Sequence, residues 1–232
     1  RTTHAGVELE GFVCKPAGQG PFPAVLVMHS ALGLRHQVGG RARALADLGY
    51  LAVATDMYGV EASTASPEAA GQHYAALLEN PQVLRDRCVA WFDAVAARGD
   101  VDAGRIAAIG YCFGGRCVLE LARSGADVKA VASYHGILTT HAPARPGAIK
   151  GEVAAWCGRD DPFAPPADIE ELRQELVASG ARFHITEFAG VAHSFTDPDA
   201  AAMGMPGIAY DALADRVSWA GTLAMLETLL RP

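Results

Sequence analysis

The sequence predicts an α/β fold: a mostly parallel central sheet with helices on both faces, in one domain over residues 1–232. Three observations predict it. Short continuous apolar runs alternate with stretches of helical length, as strands buried on both faces and their crossover helices require. Half of the 232 residues are hydrophobic, and a chain of this size buries roughly 70% of its unfolded surface. No repeat, low-complexity tract or linker divides the sequence.

The elements follow in order. Val7–Val13 alternates and reads as a strand, followed by a turn rich in Gly and Pro at Pro16–Pro23. Ala24–His29 is a buried parallel strand, Gly39–Leu48 a helix ended by Gly49, and Tyr50–Thr55 another buried strand ended by Asp56. Residues 57–82 hold Gly59, Pro67, Gly71 and Pro81, so they read as a loop with a helical patch at Ala69–Leu78, lying over the active face. Val83–Arg98 is a helix whose apolar stripe is Val83, Leu84, Cys88, Trp91, Phe92 and Val95. Ile106–Gly110 is a strand and Gly114–Ser124 a helix. Val128–Tyr134 and Val153–Cys157 are strands. Ala167–Ser179 is a helix with acidic residues in its first turns, where the helix dipole favours them. Ala181–Phe188 is the last strand and Asp211–Leu230 the closing helix.

Composition narrows the function. The net charge is −7 and no run of five basic residues occurs, which argues against nucleic acid and anionic membrane as partners. No apolar run of eighteen residues is present, so no membrane-spanning helix is expected. The five cysteines, at 14, 88, 112, 117 and 157, are odd in number and fit no zinc or redox spacing. A reducing, cytoplasmic setting is expected. Nothing in the sequence specifies an oligomeric state.

One segment carries chemistry. Gly110-Tyr111-Cys112-Phe113-Gly114 has the form G-x-C-x-G between a predicted strand and a predicted helix. That is the setting of a nucleophile elbow, the sharp turn of α/β-hydrolases. Its glycines allow the close turn. The helix N-terminus favours a thiolate at Cys112, and the Phe113 N–H points toward a developing oxyanion. The plainer reading, a small core cysteine, suits Cys14, Cys88, Cys117 and Cys157 better than Cys112.

In this fold an acid and then a histidine follow the nucleophile. Val153–Cys157 runs into Gly158-Arg159-Asp160-Asp161-Pro162, where two carboxylates compete. The loop after the last strand carries His193. His135 ends a different strand, His184 lies within one and reads as structural, and His4, His73 and His141 read as surface residues. Ser30 and Ser194 are weak as nucleophiles because neither sits in an elbow.

Together these segments resemble the dienelactone hydrolase family from about Gly6 to Leu230. Gly110–Gly115 is similar to that family's cysteine elbow, Gly158–Pro165 to its acid segment and His193-Ser194-Phe195 to its histidine segment; Asp56–Gly59 and Tyr134–Gly136 match further segments. In the family the acid stands four residues before a proline, which selects Asp161 through Pro165. The resemblance also implies an oxyanion loop at His29–Gly33, with the Ala31 N–H joining that of Phe113. It implies a pocket to which Ser30, Arg35, Tyr58, Tyr134 and Asp197 are candidates. Two positions depart from the family: Ser30 stands where dienelactone-opening members carry Glu, and Asp197 where they carry an arginine for the substrate carboxylate. Arg35, Arg85 and Arg116 are the cations left to compensate, each more simply read as a solvated surface residue.

The expectation is hydrolysis of a small ester or lactone by a Cys112–His193–Asp161 triad through an acyl-thiol, with no metal or organic cofactor. The rival is a non-catalytic or redox-sensing protein of this fold, in which Cys112 is oxidised rather than acylated.

Overall fold

The computed structural model describes residues 1–34, 36–62 and 67–231. Strands β1 (Thr2–His4) and β2 (Val7–Leu9) form an antiparallel hairpin. The main sheet begins with β3 (Phe12–Cys14) and β4 (Phe22–Met28); α1 (His36–Asp47) and β5 (Leu51–Thr55) follow. A 3₁₀ turn (Val60–Ala62) leads to α2 (Pro67–Glu79) and α3 (Pro81–Ala96). Then come β6 (Val101–Tyr111), α4 (Phe113–Arg123), β7 (Ala130–Tyr134), β8 (Glu152–Gly158), α5 (Pro166–Ser179), β9 (Arg182–Phe188), a second 3₁₀ turn (Ala200–Met203) and α6 (Ala212–Leu230).

The seven strands lie in the order β3-β5-β4-β6-β7-β8-β9, parallel except for β3. Successive residues of β4 alternate between two cores. Ala24, Leu26 and Met28 face a layer containing Leu84, Trp91 and Leu119, while Val25 and Val27 face one containing Val38, Leu45 and Leu226. This alternation explains why the central strands are apolar throughout.

The order reverses between β4 and β6. After β4 the chain adds β5 on one side, and from β6 onward every strand is added on the other. Their neighbouring C-terminal ends form the switch point at which open α/β sheets bind ligands.

The sequence reading is corrected at several places. Val7–Val13 is two strands, because Gly11 passes against β5 so closely that a Cβ there would lie 2.2 Å from the Ala54 carbonyl oxygen. Strand β6 starts five residues before Ile106, at Val101, and α1 starts at His36. The hairpin strand β1 carries too short a pattern to read. Residue 35 lies outside the described residues.

Candidate active site

The turn from β6 into α4 positions Cys112. Its backbone is left-handed, with φ 55° and ψ −114°. A non-glycine residue there is strained and persists only where its surroundings hold it. The surroundings are glycines in backbone contact. A Cβ at Gly110 would lie 1.9 Å from the Gly114 carbonyl oxygen, and one at Gly114 2.2 Å from that of Met28. One at Gly115 would lie 2.6 Å from the Gly136 Cα. The first turn of α4 therefore sits directly on the ends of β4 and β7. The Cys112 N–H donates to the Tyr134 carbonyl at 3.0 Å.

The loops after β8 and β9 are also locked together by backbone. A Cβ at Gly158 would lie 2.4 Å from the Val191 carbonyl oxygen. That same oxygen accepts from the Asp160 N–H at 3.0 Å. Asp161 is thereby turned inward while Asp160 stays exposed. The His193 Nδ1–H donates to Asp161 Oδ2 at 2.7 Å, and the Phe163 N–H donates to Asp161 Oδ1 at 2.8 Å. His193 is further held at its backbone: its N–H donates to the Gly207 carbonyl and its carbonyl accepts from the Ala209 N–H.

Burial alone would lower the His193 pKa. The hydrogen bond to Asp161, a hydrogen bond to Cys112 and the charges of both outweigh it, and the net effect raises it to about 9. Of the three residues read from the sequence, His193 and Asp161 are hydrogen-bonded to each other, Cys112 acts on the same imidazole, and Asp161, not Asp160, is the carboxylate beside it.

Tyr58 joins the two candidate oxyanion donors. Its hydroxyl donates to the Ala31 carbonyl at 2.9 Å, and its ring stacks on Phe113 at 5.7 Å. The turn bearing Ala31 is closed by the Gly33 N–H on the Ser30 carbonyl. It is pinned by His29, whose Nδ1–H donates to the Ser30 carbonyl and whose Nε2 accepts from the Met57 N–H. Those two bonds fix one neutral tautomer of a fully buried ring; burial, the largest influence, lowers its pKa. The Phe113 N–H, in the first turn of α4, has no intrahelical acceptor.

The remaining pocket candidates divide. Ser30 is half-buried and accepts from the Leu32 N–H within its own turn. Asp197 is half-buried and caps the Asp199 N–H. Tyr134 is a correction: its side chain is on the opposite face of the sheet, fully buried against Tyr111, with its hydroxyl donating to Thr222 at 2.6 Å. A strand's alternation explains this, because the residue after Tyr134, His135, is the one that turns toward His193. The arginines are a second correction. Arg85 is ion-paired with the buried Glu120, and Arg116 is only 8% exposed, so neither is a solvated surface residue.

Three neighbours were not taken as site residues in the sequence. His135 is buried, packs edge-on to His193 at 5.0 Å and bonds through Nε2 to Thr196 Oγ1 at 2.8 Å. Phe163, 40% exposed, covers the other side of His193 at 4.8 Å. Tyr74 of α2 packs edge-on to Phe113 at 5.4 Å. The signal for His135 was its position at a strand end beside the elbow; Tyr74 lies in the helical patch Ala69–Leu78 and Phe163 in a loop, and neither pattern says what the side chain packs against. Among the described residues no group of three His, Cys, Asp or Glu side chains could hold a metal ion.

Comparison with known proteins adds the family. The model of the dienelactone hydrolase family matches residues 9–230. The chain belongs to the dienelactone hydrolase family. A solved dienelactone hydrolase-like promiscuous phosphotriesterase from metagenomic libraries is 33% identical and superposes with a TM-score of 0.90, covering 98% of this chain and 95% of that one. A Salmonella typhimurium protein provisionally named a carboxymethylenebutenolidase is 28% identical over 204 residues, 82% of this chain and 74% of that protein. The dienelactone hydrolase of Anabaena variabilis, 17% identical with a TM-score of 0.67 over 99% of this chain and 96% of its own, shares the α/β-hydrolase fold. This dienelactone hydrolase family member is thus a hydrolase by kinship. No described helix is long and apolar enough to cross a membrane.

Proposed function

We propose that the chain hydrolyses a small ester or lactone through an acyl-thiol on Cys112. What supports this reading is the His193–Asp161 hydrogen bond together with Cys112, which acts on the same imidazole from the turn after β6, at the switch point of the sheet. The thiolate attacks the carbonyl carbon, and the tetrahedral oxyanion is held by the N–H groups of Ala31 and Phe113. Protonated His193 gives its proton to the leaving alkoxide. Neutral His193 then takes a proton from water, which attacks the thioester and releases the acid. Asp161 keeps the Nε2 of His193 directed at the reacting atoms.

The pocket is read as one for an uncharged acyl group, because Ser30 and Asp197 offer no cation at the two positions where the family departs. A reducing, cytoplasmic setting suits a thiol nucleophile and completes the proposal. The test is mass spectrometry of the protein mixed with a panel of p-nitrophenyl esters, small lactones and one aryl phosphotriester. The phosphotriester belongs in the panel because the 33% identical solved relative is a promiscuous phosphotriesterase. An acyl adduct on Cys112 that decays with product release is expected. No adduct and no turnover on any member would sink the reading in favour of a redox role.

A further inference from the structure

Behind Tyr58 lies a cavity of about 710 Å³. Its walls are the β1–β2 hairpin, the first 3₁₀ turn, α2 and α3; Cys112, Phe113 and His193 are not among the residues lining it. Val7, Val60, Leu77 and Val83 give it an apolar flank, and Arg87 stands in its wall.

Arg87 is an incompletely satisfied cation. It is 8% exposed, and its Nε is fully buried without a hydrogen-bond partner among the described residues. Its Nη1 donates to the Met57 carbonyl at 2.6 Å, with the Tyr58 carbonyl at 3.4 Å. No described carboxylate lies in ion-pair contact with it. Asp56 acts on it only through space, because the Asp56 carboxylate is committed to the N–H groups of Glu10, Tyr58 and Gly59. Glu8 also lines the cavity, but it is half-exposed and paired with Arg1 at 2.9 Å. A buried guanidinium with no ion-pair partner among the described residues, beside a cavity of ligand size with an apolar flank, is suited to receive an anion.

We infer that this cavity binds a small carboxylic acid with an apolar tail, its carboxylate on Arg87 and its tail along Val7, Val60, Leu77 and Val83. The site is separate from the Cys112 centre and stands whether or not that centre hydrolyses esters. It adjoins that centre through Tyr58, whose hydroxyl holds the Ala31 carbonyl.

The test is isothermal titration of octanoate into the full chain and into three variants. One-to-one binding is expected, unchanged in Cys112→Ala. It should weaken at least tenfold in Arg87→Gln and in Ala76→Trp, which adds an indole to the cavity wall from α2. Octanamide, with the same tail and no charge, should bind at least tenfold more weakly than octanoate. Failure to bind, equal binding of octanamide, or binding that survives Ala76→Trp overturns the inference. Ala76→Trp keeps the result decisive if Arg87→Gln fails to fold, because Ala76 is exposed on α2.

Discussion

Asp161 and His193 are 32 residues apart in sequence and 2.7 Å apart in space, and the contact between their loops is made by backbone before any side chain takes part. The pairing sets the first prediction. His193 has a pKa raised to about 9, so at neutral pH it is protonated in the folded chain and neutral only well above that. The kcat/KM of an activated ester should therefore fall on the alkaline side with a midpoint near 9. In Asp161→Asn the largest raising influence is lost while burial still lowers the value, so the midpoint moves down. The linked stability has the same sign. A raised histidine pKa stabilises fully below about 6.5 and loses that contribution as pH climbs to 9. The gap in Tm between wild type and Asp161→Asn should narrow over that window; a gap that widens would contradict the pairing.

His135 tests positioning without charge. Burial foremost, with the charge of His193 second, lowers its pKa well below the ordinary histidine value, so it stays neutral wherever the site works. The charged or titratable groups around it are His193, Arg41, Tyr111 and the Asp161 beyond His193. His135→Phe keeps a ring against His193 and loses the bond to Thr196. An activity loss of about tenfold with the alkaline midpoint unmoved is expected. A shift of the midpoint in the pH–rate profile would mean that His135 carries charge.

Gly114→Ala addresses the elbow. The new methyl would meet the Met28 carbonyl oxygen at 2.2 Å, and backbone cannot rotate aside as a side chain can. Overpacking of this kind costs about 1–3 kcal/mol or more. Urea denaturation should show at least that loss, with activity falling further because β4 and Cys112 are pushed apart. Near-wild-type stability would show that the turn is looser than its geometry implies.

Tyr134→Phe separates core from pocket. It removes one buried hydrogen bond to Thr222, which still accepts from Trp156 Nε1 at 3.0 Å. A loss of about 1 kcal/mol, or roughly 2–4 °C in Tm, is expected, with steady-state kinetics unchanged. Altered KM across an ester panel would return Tyr134 to the pocket.

The parts of this chain that were legible are those where local chemistry and tertiary demand coincide. The buried strands read as apolar runs because both of their faces are covered. Cys112 and Asp161 stood out because each follows such a strand, His193 because it lies in the loop after the last, half-exposed edge strand β9, and the glycines around Cys112 mark a turn that no bulkier residue could make. Tyr134 misled because its neighbour His135 takes the inward place, and alternation along a strand cannot by itself say which face holds the site. Tyr74 and Phe163 were invisible because their role comes from where α2 and the loop after β8 dock, which no periodicity encodes. Arg87 drew no reading from the sequence; only the fold shows that it is buried with no ion-pair partner among the described residues.

The tethering of His29 has a consequence for the acidic side. Its ring serves as a strap between two loops, and it can do so only while uncharged, since protonation at Nε2 would replace the acceptor that holds the Met57 N–H. Acid therefore acts on this protein through its framework: as pH falls below about 6.5, the unfolded chain takes up a proton that the folded one resists. Part of the acid sensitivity of this protein is thus carried by a ring that ties two loops together, away from the His193–Asp161 pair.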